Sequence, residues 1–185
     1  MLTRIGLGHV RELLIDPDLL RKLWALAAAS ATEISGFGEA HEVGGIIHIQ
    51  KPFHVPEQEG SMVETKIGQE QLAPLITEYV KSGRSLQNLR FWFHTHGSMP
   101  AFFSATDEDT IRDLSSTMPL FVAGVFNRRG DTMWRVVWHD VHTEWEYEIE
   151  GGLLSTMELA VAKSEFEKKV KRGWWDKTKH KTGFR

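Results

Sequence analysis

The chain is organised around an aromatic run that carries two histidines, Phe91-Trp92-Phe93-His94-Thr95-His96. Such an apolar run is typical of a buried strand, and side chains two positions apart on a strand point to the same face. His94 and His96 are therefore expected to project together near the end of that strand. Asp107 follows after a loop of about ten residues, a length at which the chain can return to the two histidines.

Two imidazoles and one carboxylate form a ligand set that suits zinc. Three protein ligands leave a fourth coordination position for water, which is the stoichiometry of a catalytic zinc site rather than a structural one. The chain contains no cysteine, so disulfides, thiolate ligands and cysteine nucleophiles are excluded. The sequence therefore makes His94, His96 and Asp107 candidate ligands for Zn²⁺, although exposed histidines, or histidines satisfied within the core, are the ordinary explanation for such a pair.

Length and apolar runs limit the class of protein. A chain of 185 residues suits one domain with a substantial core. The first residues lack the pattern of a signal peptide, and the longest apolar run, Leu23 to Ala29, is too short to span a bilayer. A soluble cytoplasmic protein without membrane contact is the expectation.

Charge is unevenly distributed along the chain. Residues 168–185 carry eight Lys/Arg and one acid, about +7, whereas the rest of the chain is about −10. We therefore predict one domain over residues 1–170 and a basic C-terminal tail over residues 171–185. A solvated terminus is the ordinary explanation for such a tail. The alternative is contact with nucleic acid through phosphates, with Trp174-Trp175 stacking on bases.

Hydrophobic periodicity predicts helices and strands along the whole chain. Helices are predicted from Asp16-Pro17 to about Thr32, over Gln69–Lys81, from Thr106 to Leu114 and over Leu153–Val170. Strands are predicted over residues 33–38, 44–50, 63–67, 89–94, 120–126, 133–139 and 143–149. The first two strands are joined by a turn near His41 to Val43, and residues 51–61 are interpreted as a surface loop. This order predicts a single α/β domain in which a mixed β-sheet is sandwiched by helices.

A wider constellation surrounds the two histidines. His94-x-His96 is followed after seven residues by Ser104 and after two more by Asp107. Upstream, Glu33-x-x-Gly36 follows an amphipathic helix. This arrangement resembles the motif of the JAMM/MPN metalloprotease family, also called Mov34/JAB, over roughly residues 19–149, and the single compact domain is similar to its prokaryotic or viral members. The resemblance implies an MPN/JAB-like fold with cytidine-deaminase-like layering.

The resemblance also implies an activity. Members of the family are zinc metallopeptidases that hydrolyse an amide bond, often an isopeptide bond after the C-terminal tail of a ubiquitin-like protein. Glu33 would be the general base and Ser104 the donor to the oxyanion. Glu39 and Glu42 are competing candidates for the glutamate, and Glu33 is preferred because it lies at a helix-to-strand junction with the x-x-Gly spacing. The implied partner is a protein or peptide substrate, and the oligomeric state stays open, with a dimer among the options.

Alternatives to this interpretation remain. Ser104-x-x-Asp107 also fits a capping box at the start of a helix. Gly97-Ser98 stands where family members commonly carry proline after the second histidine, a change that bears on the shape of the loop and on substrate fit. An MPN-type scaffold that binds protein partners without catalysis is the alternative from another class, and zinc content together with hydrolysis of ubiquitin-like fusions separates the two.

Overall fold

The aromatic run forms the strand Phe91–Thr95, and this strand lies inside an eight-stranded sheet. The computed structural model describes residues 3–7, 11–29, 32–55, 59–60, 65–66, 69–138 and 143–149, together with Met157, Ala160, Val161 and Ser164. Within those ranges, no helix is both long enough and apolar enough to cross a membrane.

The described part of the chain contains both strands and helices. The strands are β1 (Thr3–Leu7), β2 (Arg11–Ile15), β3 (Ser35–Val43), β4 (Ile46–His54), β5 (Glu59–Gly60), β6 (Thr65–Lys66), β7 (Phe91–Thr95), β8 (Leu120–Phe126), β9 (Thr132–Trp138) and β10 (Thr143–Ile149). The helices are α1 (Pro17–Ala29), α2 (Gln69–Lys81) and α3 (Ala105–Ser115), with a 3-10 turn at Leu86–Asn88.

The sheet is mixed. Its strand order is β1-β2-β4-β3-β7-β8-β9-β10, and β5 pairs with β6 in a separate ribbon. The β2/β4 and β7/β8 pairs are parallel, whereas the other neighbours in the large sheet are antiparallel. Helix α3 connects the parallel strands β7 and β8, as a crossover connection must. The prediction of an α/β domain with a mixed sheet is confirmed.

Alternation along β7 divides the core between the two faces of the sheet. Phe91 and Phe93 pack with the buried leucines of α1 in one apolar cluster. Trp92 points to the opposite face, where it packs with Leu75 of α2 and Ile111 of α3 in a second cluster. Helices therefore cover both faces of the sheet, with α1 on one side and α2 and α3 on the other.

Two predictions about the β3–β4 hairpin and the segment after it are wrong. Residues His41 to Val43 belong to β3, and the turn lies at Gly44 and Gly45, whose φ angles are +60° and +85°. Two consecutive residues with positive φ form the tight turn that matches the twist of a hairpin, and glycine adopts this conformation without strain. Residues 51–61 are not one surface loop, because β4 continues to His54 and β5 begins at Glu59.

The bounds of other helices and strands agree with those predicted from the sequence. Helix α2 covers Gln69–Lys81 and β8 covers Leu120–Phe126, as predicted. Within the helix predicted over 153–170, the described residues are helical. The basic tail, residues 171–185, lies outside the described residues, so its contact with nucleic acid stays a prediction.

Candidate metal centre

The candidate site lies where β7 leaves the sheet. His94 is on the strand, and His96 follows its last residue while its N–H still donates to the carbonyl of Phe126 on β8, at 2.8 Å. Both rings therefore project from the same face at the carboxyl end of β7, which is where open α/β sheets place their ligand crevices. Asp107 comes from the first turn of α3, directly across the loop.

Strand β3 brings the glutamate to the same place. It runs antiparallel to β7, and the pairing continues beyond the strand's first residue because the N–H of Thr95 donates to the carbonyl of Ile34 at 2.9 Å. The next position along this register sets Glu33 opposite His96. The carboxylate Oε1 of Glu33 lies 3.9 Å from Nε2 of His96, and the residue is 6% exposed.

The three predicted ligands converge on one point. Nε2 of His94 lies 2.9 Å from Nε2 of His96 and 3.3 Å from Oδ1 of Asp107. One donor atom from each residue lies within 4.8 Å of the others. Zinc bonds of 2.0–2.2 Å in a tetrahedral site place neighbouring ligand atoms about 3.4 Å apart. The spacing and chemistry of the three donors therefore fit a small divalent cation.

The protein orients the His96 ring for ligation. Its Nδ1 lies 2.8 Å from the carbonyl of Pro100, and a carbonyl only accepts, so Nδ1 carries the proton. The Nε2 lone pair of the neutral ring then faces the other two ligands, which is the arrangement by which outer hydrogen bonds fix a metal-binding tautomer. Trp92 stacks on His94 at 4.8 Å, whereas Nδ1 of His94 has no hydrogen-bond partner among the described residues.

Ser104 holds the carboxylate of Asp107. Its backbone N–H and its Oγ both donate to Oδ2 of Asp107, each at 2.7 Å, while the N–H of Asp107 points back at Oγ, 3.3 Å away. This is a capping box at the start of α3, so that interpretation of the sequence is confirmed. Oδ2 is held by Ser104, and Oδ1 is the oxygen turned towards His94.

The surroundings of His96 and Asp107 favour the protonation states that these two candidate ligands need. Burial and the neighbouring His94 lower the pKa of His96, despite opposite effects of the Pro100 carbonyl and Asp107. Burial alone would raise the pKa of Asp107, but hydrogen bonds and charge from His94 and the bonds from Ser104 outweigh it and lower that pKa. His96 is thus neutral and Asp107 ionised at neutral pH.

The competing glutamates lie elsewhere. Glu39 is buried, and its carboxylate binds the Tyr79 hydroxyl at 2.6 Å, the Arg84 guanidinium at 2.7 Å and the His41 ring at 2.9 Å. This network connects β3 to α2 and to the segment after it. Glu42 is exposed and accepts from the N–H of Gly45 in the hairpin turn at 2.8 Å. Of the three candidates, Glu33 is the one that lines the cleft.

The loop after His96 begins in a conformation that proline cannot adopt. Gly97 has a φ of +49°, in the left-handed region, whereas proline is fixed near −65°. The carbonyl of Gly97 accepts from the N–H of Arg128 in the β8–β9 turn at 2.7 Å. The backbone therefore makes a sharp turn directly after the second histidine, and this turn excludes proline at position 97.

Asn127 supports the same loop, whereas the sequence predicted only a turn at residues 127–131. Its amide group donates to the carbonyl of Met99 at 2.9 Å and to the carboxylate of Asp131 at 2.6 Å. Its Oδ1 accepts from the N–H groups of Arg129 and Asp131, both at 2.9 Å. The side chain is fully buried, so it fixes the loop segment that carries the Pro100 carbonyl.

We expect Asn127→Ala to lower the free energy of unfolding by about 3 kcal/mol, because it leaves several buried polar groups without partners. Affinity for zinc should fall as well, since the acceptor for Nδ1 of His96 is no longer held. Denaturant unfolding and a competitive zinc titration measure the two effects. Asn88→Ala in the 3-10 turn is the matched control, and equal stability of the two variants would contradict the role of Asn127.

Arg135 is a second supporting residue that the sequence did not single out. It is 6% exposed on β9, pairs with Glu108 of α3, and lies 4.8 Å above the ring of Phe103. A buried guanidinium that contacts both an aromatic face and a carboxylate fixes two elements at once. It holds the start of α3, and with it Asp107, against the sheet.

The triad, Glu33 and Ser104 all line a single cleft of about 360 Å³, which is within the usual size range of ligand sites. Buried imidazoles and carboxylates of this kind are suited to holding a divalent cation beside a proton acceptor. No model of a known protein family matches the sequence, and no curated protein matches it either.

Proposed function

We propose that this protein is a zinc-dependent metallopeptidase that hydrolyses an amide bond in a protein or peptide substrate. The observation that carries the proposal is the convergence of His94, His96 and Asp107 on one point, with the carboxylate of Glu33 beside them in the same cleft. Three ligands leave a coordination position open, which is the stoichiometry of catalytic zinc.

His94 and His96 would hold the ion through Nε2, and Asp107 through Oδ1. When bound, zinc supplies Lewis-acid chemistry, which lowers the pKa of water to near neutrality. Two of the side chains would be held for this task by their neighbours, because the carbonyl of Pro100 orients His96 and Ser104 orients Asp107. Preorganisation of this kind is what metal sites obtain from their surrounding hydrogen bonds.

Glu33 would move the proton. Its buried carboxylate lies 3.9 Å from Nε2 of His96, close enough to accept a proton from a water beside the ligands and to deliver it to the leaving amine. No step of the reaction requires Glu33 to bind the ion. A base outside the ligand set is the arrangement expected for hydrolysis.

Ser104 would serve the reaction in two ways. It holds Asp107, and its hydroxyl would donate to the oxyanion once it turns away from Oδ2, since a hydroxyl carries a single proton. Loss of one such donor costs on the order of 100-fold in rate.

The proposal also includes an MPN/JAB-like layering of the domain. Helix α1 covers one face of the sheet and helices α2 and α3 cover the other, which supports this layering.

Metal analysis combined with a peptidase assay tests the proposal. We expect about one zinc ion per purified chain. Hydrolysis of a panel of peptides and ubiquitin-like fusions should stop with a chelator and return when zinc is restored. Elemental analysis gives the ratio of zinc to protein chain, and the rate of hydrolysis is measured on the same sample. A well-folded chain that binds no zinc and cleaves nothing would instead support the protein-binding scaffold.

A further inference from the structure

The cleft continues beyond the candidate metal centre along two neighbouring rows of side chains, one on β3 and one on β7. Residues of β3 and β7 that share this face stand opposite one another in the antiparallel register, with Ser35 opposite His94 and Phe37 opposite Trp92. Along β7 the row therefore passes from the candidate ligand His94 to the indole ring of Trp92, two residues away. The floor of the cleft is polar at the metal end and aromatic at the other.

Helix α3 forms one wall along the same direction. Asp107, Thr110 and Leu114 line the cleft at helical spacings of three and four, so they occupy one face of the helix. From Asp107 to Leu114 this face extends about 10 Å, at 1.5 Å per residue. Leu72 of α2 lines the cleft as well. We call the part lined by Phe37, Leu72, Trp92 and Leu114 the apolar trough.

Polar groups beside the apolar trough already donate their protons to the protein. The indole N–H of Trp92 donates to Oγ of Ser35 at 2.6 Å, and this hydroxyl donates to the carbonyl of Phe93 at 3.1 Å. The hydroxyl of Thr110 donates to the carbonyl of Thr106 at 2.9 Å. These three donors are therefore engaged within the protein rather than directed at a ligand.

Charge is confined to one end of the cleft. Among the described residues that line it, Glu33, Asp107 and the two histidines carry the ionisable side chains, and the apolar trough has none. A charged or amide side chain placed there would lose its hydration without gaining a partner. An apolar side chain would displace water from apolar walls, which is favourable.

We propose that the apolar trough is a specificity pocket, which accepts a bulky apolar side chain of the residue next to the scissile amide. This inference rests on the proposed function, because the trough begins at the candidate metal centre and a substrate amide placed there sets its flanking residue into the trough. A glycine at that position leaves the trough filled only with water. The favoured substrates are therefore peptides with leucine, methionine or phenylalanine beside the cleaved bond, rather than chains that end in consecutive glycines.

Peptide binding without turnover tests this inference. The full chain carrying Glu33→Gln is titrated calorimetrically with the peptides acetyl-Ala-Gly-X-Gly-Ala-amide, where X is Gly, Leu, Phe, Asp or Lys. We expect the Leu and Phe peptides to bind at least about tenfold more tightly than the Gly peptide, since apolar groups in such pockets discriminate by that amount. The Asp and Lys peptides should bind no better than the Gly peptide.

Two substitutions in the cleft and one control on α2 localise the preference. Thr110→Trp should fill the apolar trough and abolish the advantage of Leu and Phe, whereas Thr77→Trp on the exposed face of α2 should leave it unchanged. The pair is matched, because the Thr77 hydroxyl also donates to the carbonyl four residues earlier, at 2.7 Å. Leu114→Ala provides a second probe of the pocket, and it should shift the preference from Leu towards Phe.

The outcomes separate the inference from the proposed function. Equal affinity for the Gly and Leu peptides, or a preference that Thr110→Trp and Leu114→Ala both leave intact, would overturn the specificity pocket. Efficient hydrolysis by the zinc-loaded wild-type chain of glycine-ended fusions, with apolar peptides rejected, would also overturn it while leaving the peptidase standing. Tight binding of apolar peptides that the wild-type chain never cleaves supports the pocket and contradicts the peptidase.

Discussion

Glu33→Gln is expected to lower the rate of peptide hydrolysis by about 100-fold to 10,000-fold while the chain keeps its fold and its zinc. The amide has nearly the shape of the carboxylate but cannot accept a proton from water, and general bases contribute rate factors of this size. His94, His96 and Asp107 are unchanged, so metal content should be unaffected. Initial rates with a fluorogenic peptide, together with elemental analysis, measure both quantities.

Glu39→Gln is the matched control, because it makes the same change in a buried glutamate six positions further along the chain. The bonds from Tyr79, Arg84 and His41 outweigh burial, which acts in the opposite direction, and lower the pKa of Glu39. Its ionised form therefore stabilises the fold above the ordinary pKa of a glutamate, and this stability is lost as the pH falls through the lowered value. The control should be less stable at neutral pH but fully active once folded. Turnover that survives in Glu33→Gln would remove the assigned base.

His94→Ala is expected to abolish both zinc binding and hydrolysis. His94 is the ligand closest to the other two, and its removal leaves two donors, which hold zinc far more weakly than three. The ring is also buried against Trp92, so a moderate loss of stability should accompany the loss of metal. Zinc stoichiometry after dialysis and thermal unfolding with and without added zinc give the two readouts.

His48→Ala on β4 is the control for this second change. His48 is half-buried and does not line the cleft, so its removal should leave zinc stoichiometry and turnover at the wild-type level. Added zinc should raise the melting temperature of the wild-type chain and of the control but not of His94→Ala, because only an ion bound to the native state stabilises it. Full zinc occupancy in His94→Ala would show that the ion lies at another site.

The sequence predicted best those elements whose signals are local. Helix α2 has a clear apolar stripe and β8 is one continuous apolar run, and both bounds agree with the structure. The hairpin of β1 and β2 was not predicted at all. Its place in the sheet depends on the parallel pairing of β2 with β4, which lies more than thirty residues away along the chain. No local sequence pattern indicates such a distant pairing.

The site divides in the same way. The ligands lie on one strand–loop–helix segment, so their spacing could be interpreted from the sequence. Residues that orient them, such as Asn127 and Arg135, come from the β8–β9 turn and from β9, and their types alone indicate only a turn and a charged strand residue. The apolar trough joins side chains from β3, α2, β7 and α3. Only the packing of these four elements reveals it.

The antiparallel register between β3 and β7 has a consequence for the order in which the candidate site assembles. The three ligands come from about fourteen consecutive residues, whereas Glu33 lies about sixty residues before His94 and joins them only when β3 pairs with β7. Closing a loop of that length carries an entropic cost that the short ligand segment does not share. Under the proposed function, Glu33 would join the three candidate ligands only when β3 pairs with β7, so a chain whose β3 is still unpaired would lack the base that hydrolysis needs.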